Sequence, residues 1–346
     1  MRRMLNTIYV TSEDAWLRKD GENLVVEVKG EERGRAPLHM LEGVVAFVHA
    51  GASPALMGAC AGAGITLSFL QPNGRFLARV EGAVSGNVLL RRAQHRVADD
   101  PDRAVPIVRG MVAGKAANQR TVLQRALRDH GSGMASGVKG ALDDAVRRLE
   151  LIARRTLVME TVETLRGLEG EAAATYFAVF DAMIRSADPA FRFAGRSRRP
   201  PLDRVNALLS FLYAMLGHDC RSALQGQGLD PQIGFLHADR PGRAGLALDL
   251  MEEFRPVMAD RLALSLINRG QVDAGDFIME EGGGVRLRDD TRRNVLIAWQ
   301  ERKREELRHP FLGESAPLGL VPHLQAQLLA RHLRGDLDGY PAFIWR

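Results

Sequence analysis

Apolar positions change their period once along the chain, near residue 85, and the change divides the predicted elements into two kinds. Up to residue 82 the apolar stretches are short, rich in β-branched or aromatic residues, and separated by turn residues. Residues 7–10, 15–18 and 24–28 read as strands, with Asp20-Gly21 as the hairpin turn between the last two. Residues 43–49 and 65–70 read as more central strands, because no Asp, Glu, Lys or Arg occurs between Glu42 and Arg75. A charge-free run of that length could cross a bilayer. Gly51, Pro54, Gly58, Gly62 and Gly64 interrupt it, so it reads as buried strand, short helix, buried strand. Ser53 as N-cap and Pro54 at the first helical position open that helix, and Gly62 or Gly64 closes it. Pro72-Asn73-Gly74 then turns the chain into a strand at 75–80.

After a linker at 81–86, apolar residues recur every three or four positions: Val88, Leu89 and Val97, then Val122, Leu123 and Leu127, then Leu142, Val146, Leu149 and Ile152. Helices are predicted over 87–98, 104–129, 138–166, 171–186, 202–225, 244–269, 289–308 and 318–334, with loops at 131–137, 188–201, 229–241 and 280–288. The fold class is therefore α+β. A small β-rich domain (1–84) precedes a larger all-α domain (85–346). Residues 340–345 are aromatic enough to dock on the body, although fraying is the default for such a segment.

Composition adds little to this picture. A chain of 346 residues, 46% hydrophobic and 26% charged, is an ordinary soluble globular protein with room for two cores. Cys60 and Cys220 have no metal-ligand or redox spacing, which fits a reducing cytoplasm, and no apolar run near Met1 has the length of a signal peptide. The charge has one notable bias. Lys19, Lys29, Lys115, Lys139 and Lys303 are the only lysines, leaving 42 of the 47 basic residues as arginine. GC-rich coding accounts for such a bias, but clustered guanidinium groups also suit phosphate oxygens.

Three segments carry candidate chemistry. Between Gly234 and Pro256 stand His237, Arg240, Arg243, Asp249, Glu252 and Arg255. Asp249 and Glu252, three apart, leave one face if 244–254 is helical. An imidazole with one or two carboxylates is a ligand set for Mg²⁺ or Mn²⁺. The same segment also reads as a helix with a solvated acidic face after an arginine-rich loop. A further carboxylate, Glu169, is flanked by Gly167 and Gly170 at a predicted helix start, with Tyr176 about two turns on along the same face. Glycines leave a backbone open to close approach, while a carboxylate at a helix start is favourable with the dipole in any case. The third segment, 196–211, feeds Arg198 and Arg199 into a helix start near Asn206, where an anion can be held.

These blocks resemble a known family. Gly-Leu-Glu-Gly with Ala-Ala-x-x-Tyr-Phe at 167–177, Arg-Arg-Pro-Pro-x-Asp-x-x-Asn-Ala-Leu-Leu-Ser at 198–210, Gly-Phe-Leu-His at 234–237 and Asp-Leu-Met-Glu-Glu-Phe-Arg-Pro at 249–256 occur in the order seen in the universal CRISPR adaptation integrase, the CRISPR-associated endonuclease that acquires spacers. Blocks at 5–11, 51–57, 72–80 and 85–92 resemble the version found in the C subtype of type I systems. The resemblance covers essentially the whole chain. It implies metal ligands at Glu169, His237 and Glu252, with Asp249 as an additional acidic catalytic position; Glu253 competes with Glu252 by spacing, and the block alignment favours Glu252. Ala244-Gly245 departs from the serine expected there and leaves the helix before Asp249 without a side-chain cap. The implied reaction is metal-dependent attack of a DNA 3′-hydroxyl on a phosphodiester of the CRISPR repeat, with endonuclease activity at the same site. Tyr176, Arg198, Arg199, Asn206, Arg240, Arg243 and Arg255 become DNA-contact candidates. The implied partners are double-stranded DNA, a second copy contacted through the β-rich domain, and a small companion adaptation protein. Two other readings use the same residues: a stand-alone metal-dependent nuclease on branched repair DNA, and a non-catalytic DNA-binding scaffold.

Overall fold

The structure, a computed structural model, describes residues 7–47, 50–82 and 88–345. The end of the expected strand 43–49, most of the linker and the start of the expected helix at residue 87 lie outside the described residues. Two units emerge, Met1–Ser85 with Leu287–Glu305, and Gly86–Arg286 with Glu306–Arg346.

In the first unit, β1 (Thr7–Val10), β5 (Gly43–Phe47), β7 (Thr66–Leu70) and β8 (Phe76–Val80) form one sheet in the order β1-β5-β7-β8. β1, β5 and β7 run parallel, and β8 closes the edge antiparallel. Every residue of β5 is buried, as a strand covered on both faces requires, and this explains the charge-free run. A second sheet has the order β4-β3-β2-β6, from β2 (Ala15–Asp20), β3 (Asn23–Val28), β4 (Glu31–Pro37) and β6 (Gly51–Ala52). Its strand β4 has the sequence Glu-Glu-Arg-Gly-Arg-Ala-Pro, an exposed, charged edge with no apolar alternation. Between the sheets, Leu17, Leu24, Val44, Leu67 and residues Leu56 and Cys60 of α1 (Pro54–Ala63) make one core. The Ser53 hydroxyl accepts from the Leu56 N–H, and Gly64 ends the helix in the left-handed region.

The second unit contains α2 (Val88–Ala98), α3 (Pro101–His130), α4 (Ser136–Thr156), α5 (Val162–Ala178), α6 (Arg204–Gly226), α7 (Gly245–Glu252), α8 (Arg261–Asn268) and α10 (Val321–Arg334). Two small hairpins join them: β9 (Phe277–Met279) with β10 (Val285–Leu287), and β11 (Glu306–Arg308) with β12 (Ser315–Pro317). The helix α3 packs on α4, α5 and α7, and its buried stripe includes Lys115, Asn118 and Gln119 beside Val108, Met111 and Val112.

Three expectations change here. The run 138–166 breaks after Thr156; Thr161 caps a new helix, and α5 carries Gly167, Glu169 and Gly170 in its interior, away from a helix start. The run 244–269 is three pieces, because Pro256 lacks an N–H and residues Arg255–Asp260 wind as a π-helix between α7 and α8. Finally, α9 (Asp289–Arg304) belongs to the first unit, where buried Arg292 donates to the Pro72 carbonyl at 3.3 Å and lies over the Phe47 ring.

Candidate active site

The loop 229–241 owes its shape to three side-chain anchors. Gln94 of α2, fully buried, donates to the carbonyls of Asp230 (2.7 Å) and Ile233 (2.9 Å) and accepts from the Asp230 N–H (2.9 Å). Arg166 of α5 holds the Leu236 carbonyl at 2.8 Å. The Asp249 carboxylate accepts from the N–H groups of Phe235 (2.6 Å), Leu236 (2.9 Å) and His237 (3.0 Å). It also meets His237 Nδ1 at 2.6 Å. Close approach of loop and helix is what Gly234 and Gly245 permit. A Cβ on Gly234 would stand 2.8 Å from Asp249 Oδ2, and one on Gly245 would stand 2.8 Å from the Gln232 carbonyl. The absent serine cap costs nothing here, because the Pro231 and Gln232 carbonyls accept the first N–H groups of α7.

Asp249 holds the ring through Nδ1, which leaves Nε2 as the nitrogen that can serve a ligand. Asp249 thus meets the rest of the site through the His237 ring. The next acid, Glu252 at the end of α7, is also buried, and so is Glu253, so this helix has no solvated acidic face. Glu252 Oε2 meets the Lys115 ammonium at 2.6 Å and its Oε1 meets Arg255 Nη2 at 3.0 Å. The same ammonium bonds Glu169 of α5. Burial alone would raise the Glu252 carboxyl, but the charges of Arg255 and Lys115 outweigh it and hold the group at about 2. Glu253 points elsewhere: Tyr340, Gln325 and the Phe343 N–H donate to it. Position four after Asp249 is therefore committed to the interior, and Glu252 is the acid that faces Glu169.

As placed, no group of three or more His, Cys, Asp and Glu side chains among the described residues could hold a metal ion. What stands between Glu169 and Glu252 is the Lys115 ammonium, a cation already bridging the two carboxylates. The donors fit a hard divalent ion in kind, with two carboxylates and one neutral imidazole nitrogen. Lys115 is the buried partner of both acids that the motif reading missed, although it was one of only five lysines in an arginine-rich chain.

Two DNA-contact candidates are corrected by burial. Tyr176 is fully buried, edge-on to Phe177 and Phe180. Asn206, also fully buried, accepts from Arg196 and from the Ser197 N–H (3.1 Å) and donates to the Gly195 carbonyl (2.7 Å), so it shapes the loop. Arg255 is spent on Glu252 and lies over the Tyr213 ring. Arg198, Arg199 and Arg240 are exposed, and Arg243 is half-buried.

Behind Arg255, the Tyr213 hydroxyl donates to buried Asp260 at 2.6 Å. Burial pushes the Asp260 carboxyl up to about 6, against the Tyr213 hydrogen bond and the charges of Arg196 and Arg255. The folded protein thus holds this proton more tightly than the unfolded chain does, and the group's contribution to stability falls as pH rises from the ordinary aspartate value through about 6. Asp260→Asn keeps an acceptor for Tyr213 and does not ionise. Its stability relative to wild type should rise across that window by up to about 3 kcal/mol. Calorimetric unfolding between pH 4 and 8 reads the difference directly; a constant offset would refute the assignment.

The helical unit thus brings two acids from different helices onto one buried ammonium, and holds an imidazole through a third acid on the helix that carries the second. The family described as CRISPR associated protein Cas1 matches residues 8–301, and the chain belongs to it. It is 60% identical over 347 residues to the CRISPR-associated endonuclease Cas1 2 of Rhodospirillum rubrum, with 100% of each chain covered. The fold is shared with a casposase bound to integration product (TM-score 0.81, 20% identity, 98% of this chain and 94% of that one). It is shared also with a chain of a Cas6-RT-Cas1–Cas2 complex (TM-score 0.81, 23% identity), where it spans 98% of this chain and 36% of the other. No helix among the described residues is long and apolar enough to cross a membrane.

Proposed function

We propose that this chain joins free 3′-hydroxyl ends of new spacer DNA to the CRISPR repeat by metal-dependent transesterification, and cuts DNA at the same site when water replaces the hydroxyl. The supporting observation is the pair Glu169 and Glu252 sharing one cation beside an imidazole aimed by Asp249, in a chain of the Cas1 family. Mg²⁺ or Mn²⁺ held by Glu169, His237 and Glu252 would supply activation of the attacking hydroxyl and neutralise charge on the phosphate. Asp249 fixes the orientation of the His237 ring through Nδ1. Arg255 keeps Glu252 ionised. The attacking 3′-hydroxyl gives up its proton as its O–P bond forms, the repeat's P–O3′ bond breaks, and the released 3′ oxygen takes up a proton, so the step is proton-neutral. Arg198, Arg199, Arg240 and Arg243 are the phosphate contacts in this reading.

Its partners are double-stranded DNA, a second copy of the chain and a small companion adaptation protein. The casposase bound to integration product and the Cas6-RT-Cas1–Cas2 complex, which share the fold, support the first and third, and exposed Trp16, Phe76 and Leu77 of the first unit offer apolar surface for the second. The test is strand joining of labelled duplex into a repeat-bearing plasmid with Mn²⁺, comparing wild type and His237→Ala. Joining should be lost with DNA binding retained. If neither protein joins and wild type cuts branched DNA, the repair-nuclease reading replaces this one.

On α5, a Cβ at Gly167 or Gly170 would meet nothing within 4 Å. Both glycines are exposed beside Glu169, so the space is available to an approaching strand. Gly170→Ala should raise stability by about 0.5–1 kcal/mol and still slow joining. Unchanged joining in a stabilised variant would show that no strand passes there.

A further inference from the structure

Residues 340–345 have no regular secondary structure, yet their polar groups are tied to the two elements that present Lys115 and Glu252. On the Glu252 side, the Tyr340 hydroxyl donates to Glu253 at 2.7 Å and the Phe343 N–H donates to it at 2.6 Å. The Phe343 ring, fully buried, stacks on Phe254 at 5.4 Å. On the Lys115 side, Asn118, one turn along α3, donates to the Phe343 carbonyl at 2.9 Å and accepts from the Trp345 N–H at 2.7 Å. Asn118 also donates to the Glu253 carbonyl at 2.7 Å, closing the loop between tail and helices. The Trp345 ring lies between Arg125 of α3 and Arg261 of α8, 3.7 and 4.6 Å from their guanidinium carbons. Gln325 of α10 adds bonds to the Pro341 carbonyl and to Glu253.

We propose that this segment is a strap that positions Glu252 relative to Lys115 and Glu169; its importance for catalysis rests on the function proposed above. A π-helical turn begins three residues after Glu252, so α7 has no long helix behind it to fix its end. The strap supplies that support by binding the two residues that follow Glu252. Glu253 and Phe254 cannot shift without breaking hydrogen bonds that no solvent reaches. The strap residues touch neither substrate nor metal in this scheme, and act only through the carboxylate's position.

The test uses Phe343→Ala in the full chain, beside Leu56→Ala, a core substitution in the other unit that serves as the control for general stability loss. Apparent Mn²⁺ affinity, read as the metal-dependent rise in unfolding temperature, should fall about 10- to 100-fold in Phe343→Ala, as it does when groups supporting a ligand are removed. The maximal joining rate should fall within the same range, and the DNA concentration giving half-maximal rate should not change. Leu56→Ala should keep the wild-type metal affinity. If Phe343→Ala loses stability but binds Mn²⁺ as tightly as Leu56→Ala, the strap has no positioning role. The metal-affinity arm is decisive even if wild type proves unable to join DNA, so failure of the functional reading and failure of the strap are separable.

Discussion

Lys115→Met is expected to lower metal-free stability by about 3–5 kcal/mol, the cost typical of removing one partner from a buried ion pair. Saturating Mn²⁺ is expected to return most of that loss. The lysine is buried on α3 with its ammonium shared by Glu169 and Glu252. Without it, Glu252 retains Arg255 on one oxygen only, while the facing carboxylates of buried Glu252 and part-buried Glu169 repel each other. A divalent ion binding the folded form at 100 times its dissociation constant contributes about 2.7 kcal/mol, enough to offset most of the deficit. Denaturant unfolding with and without Mn²⁺ measures both terms. A loss that Mn²⁺ leaves untouched would mean that the metal does not replace the ammonium, and the donor set would have to be sought elsewhere.

Asp249→Ala should have the other large effect. It deprives three backbone N–H groups and the His237 ring of their acceptor, and each buried donor left unpaired costs about 1–3 kcal/mol. The loop 229–241 would loosen, and with it the imidazole. We expect joining to fall about 100-fold, at the upper end of losses seen when a ligand's supporting group is removed. Asp249→Asn, which keeps one acceptor oxygen, should fall between that variant and wild type. Equal activity in all three would place His237 outside the reaction. Hydrogen exchange at Phe235 and Leu236 gives an independent reading of the loop.

Much of this was legible from residue order. Ser53-Pro54 and Gly64 marked α1, and the charge-free run marked the central strands, because capping and double-sided burial leave local signatures. Glu31–Pro37 left none: an edge strand in water needs no apolar face. Gly167 and Gly170 suggested a break that does not occur, because packing of Leu165, Leu168 and Ala172 overrides a local propensity of about 1 kcal/mol per glycine. Spacing identified His237, Asp249 and Glu252 as a set, but it could not rank their roles. Hydrogen-bond partners separate Asp249, which holds the loop N–H groups and the His237 ring, from Glu252, which meets the Lys115 ammonium opposite Glu169. Tyr176 and Asn206 entered as DNA-contact candidates through the resemblance, but polar atoms can serve the interior as well as a ligand, and both are buried. Lys115 stands 54 and 137 residues from its partners, a distance across which only the folded chain brings charges together.

The placement of α9 with the strands imposes an order on biosynthesis. The sheet segments end at Val80, but the helix that belongs with them ends at Arg304. At roughly 5–20 residues per second, those 224 residues take on the order of 10–45 s to emerge from a ribosome. Throughout that interval the face that receives Arg292, with Phe47 and the Pro72 carbonyl, lacks its partner, while the helical unit is free to begin assembling from the intervening chain. A ribosome-associated chaperone arriving in that window would find the strands first.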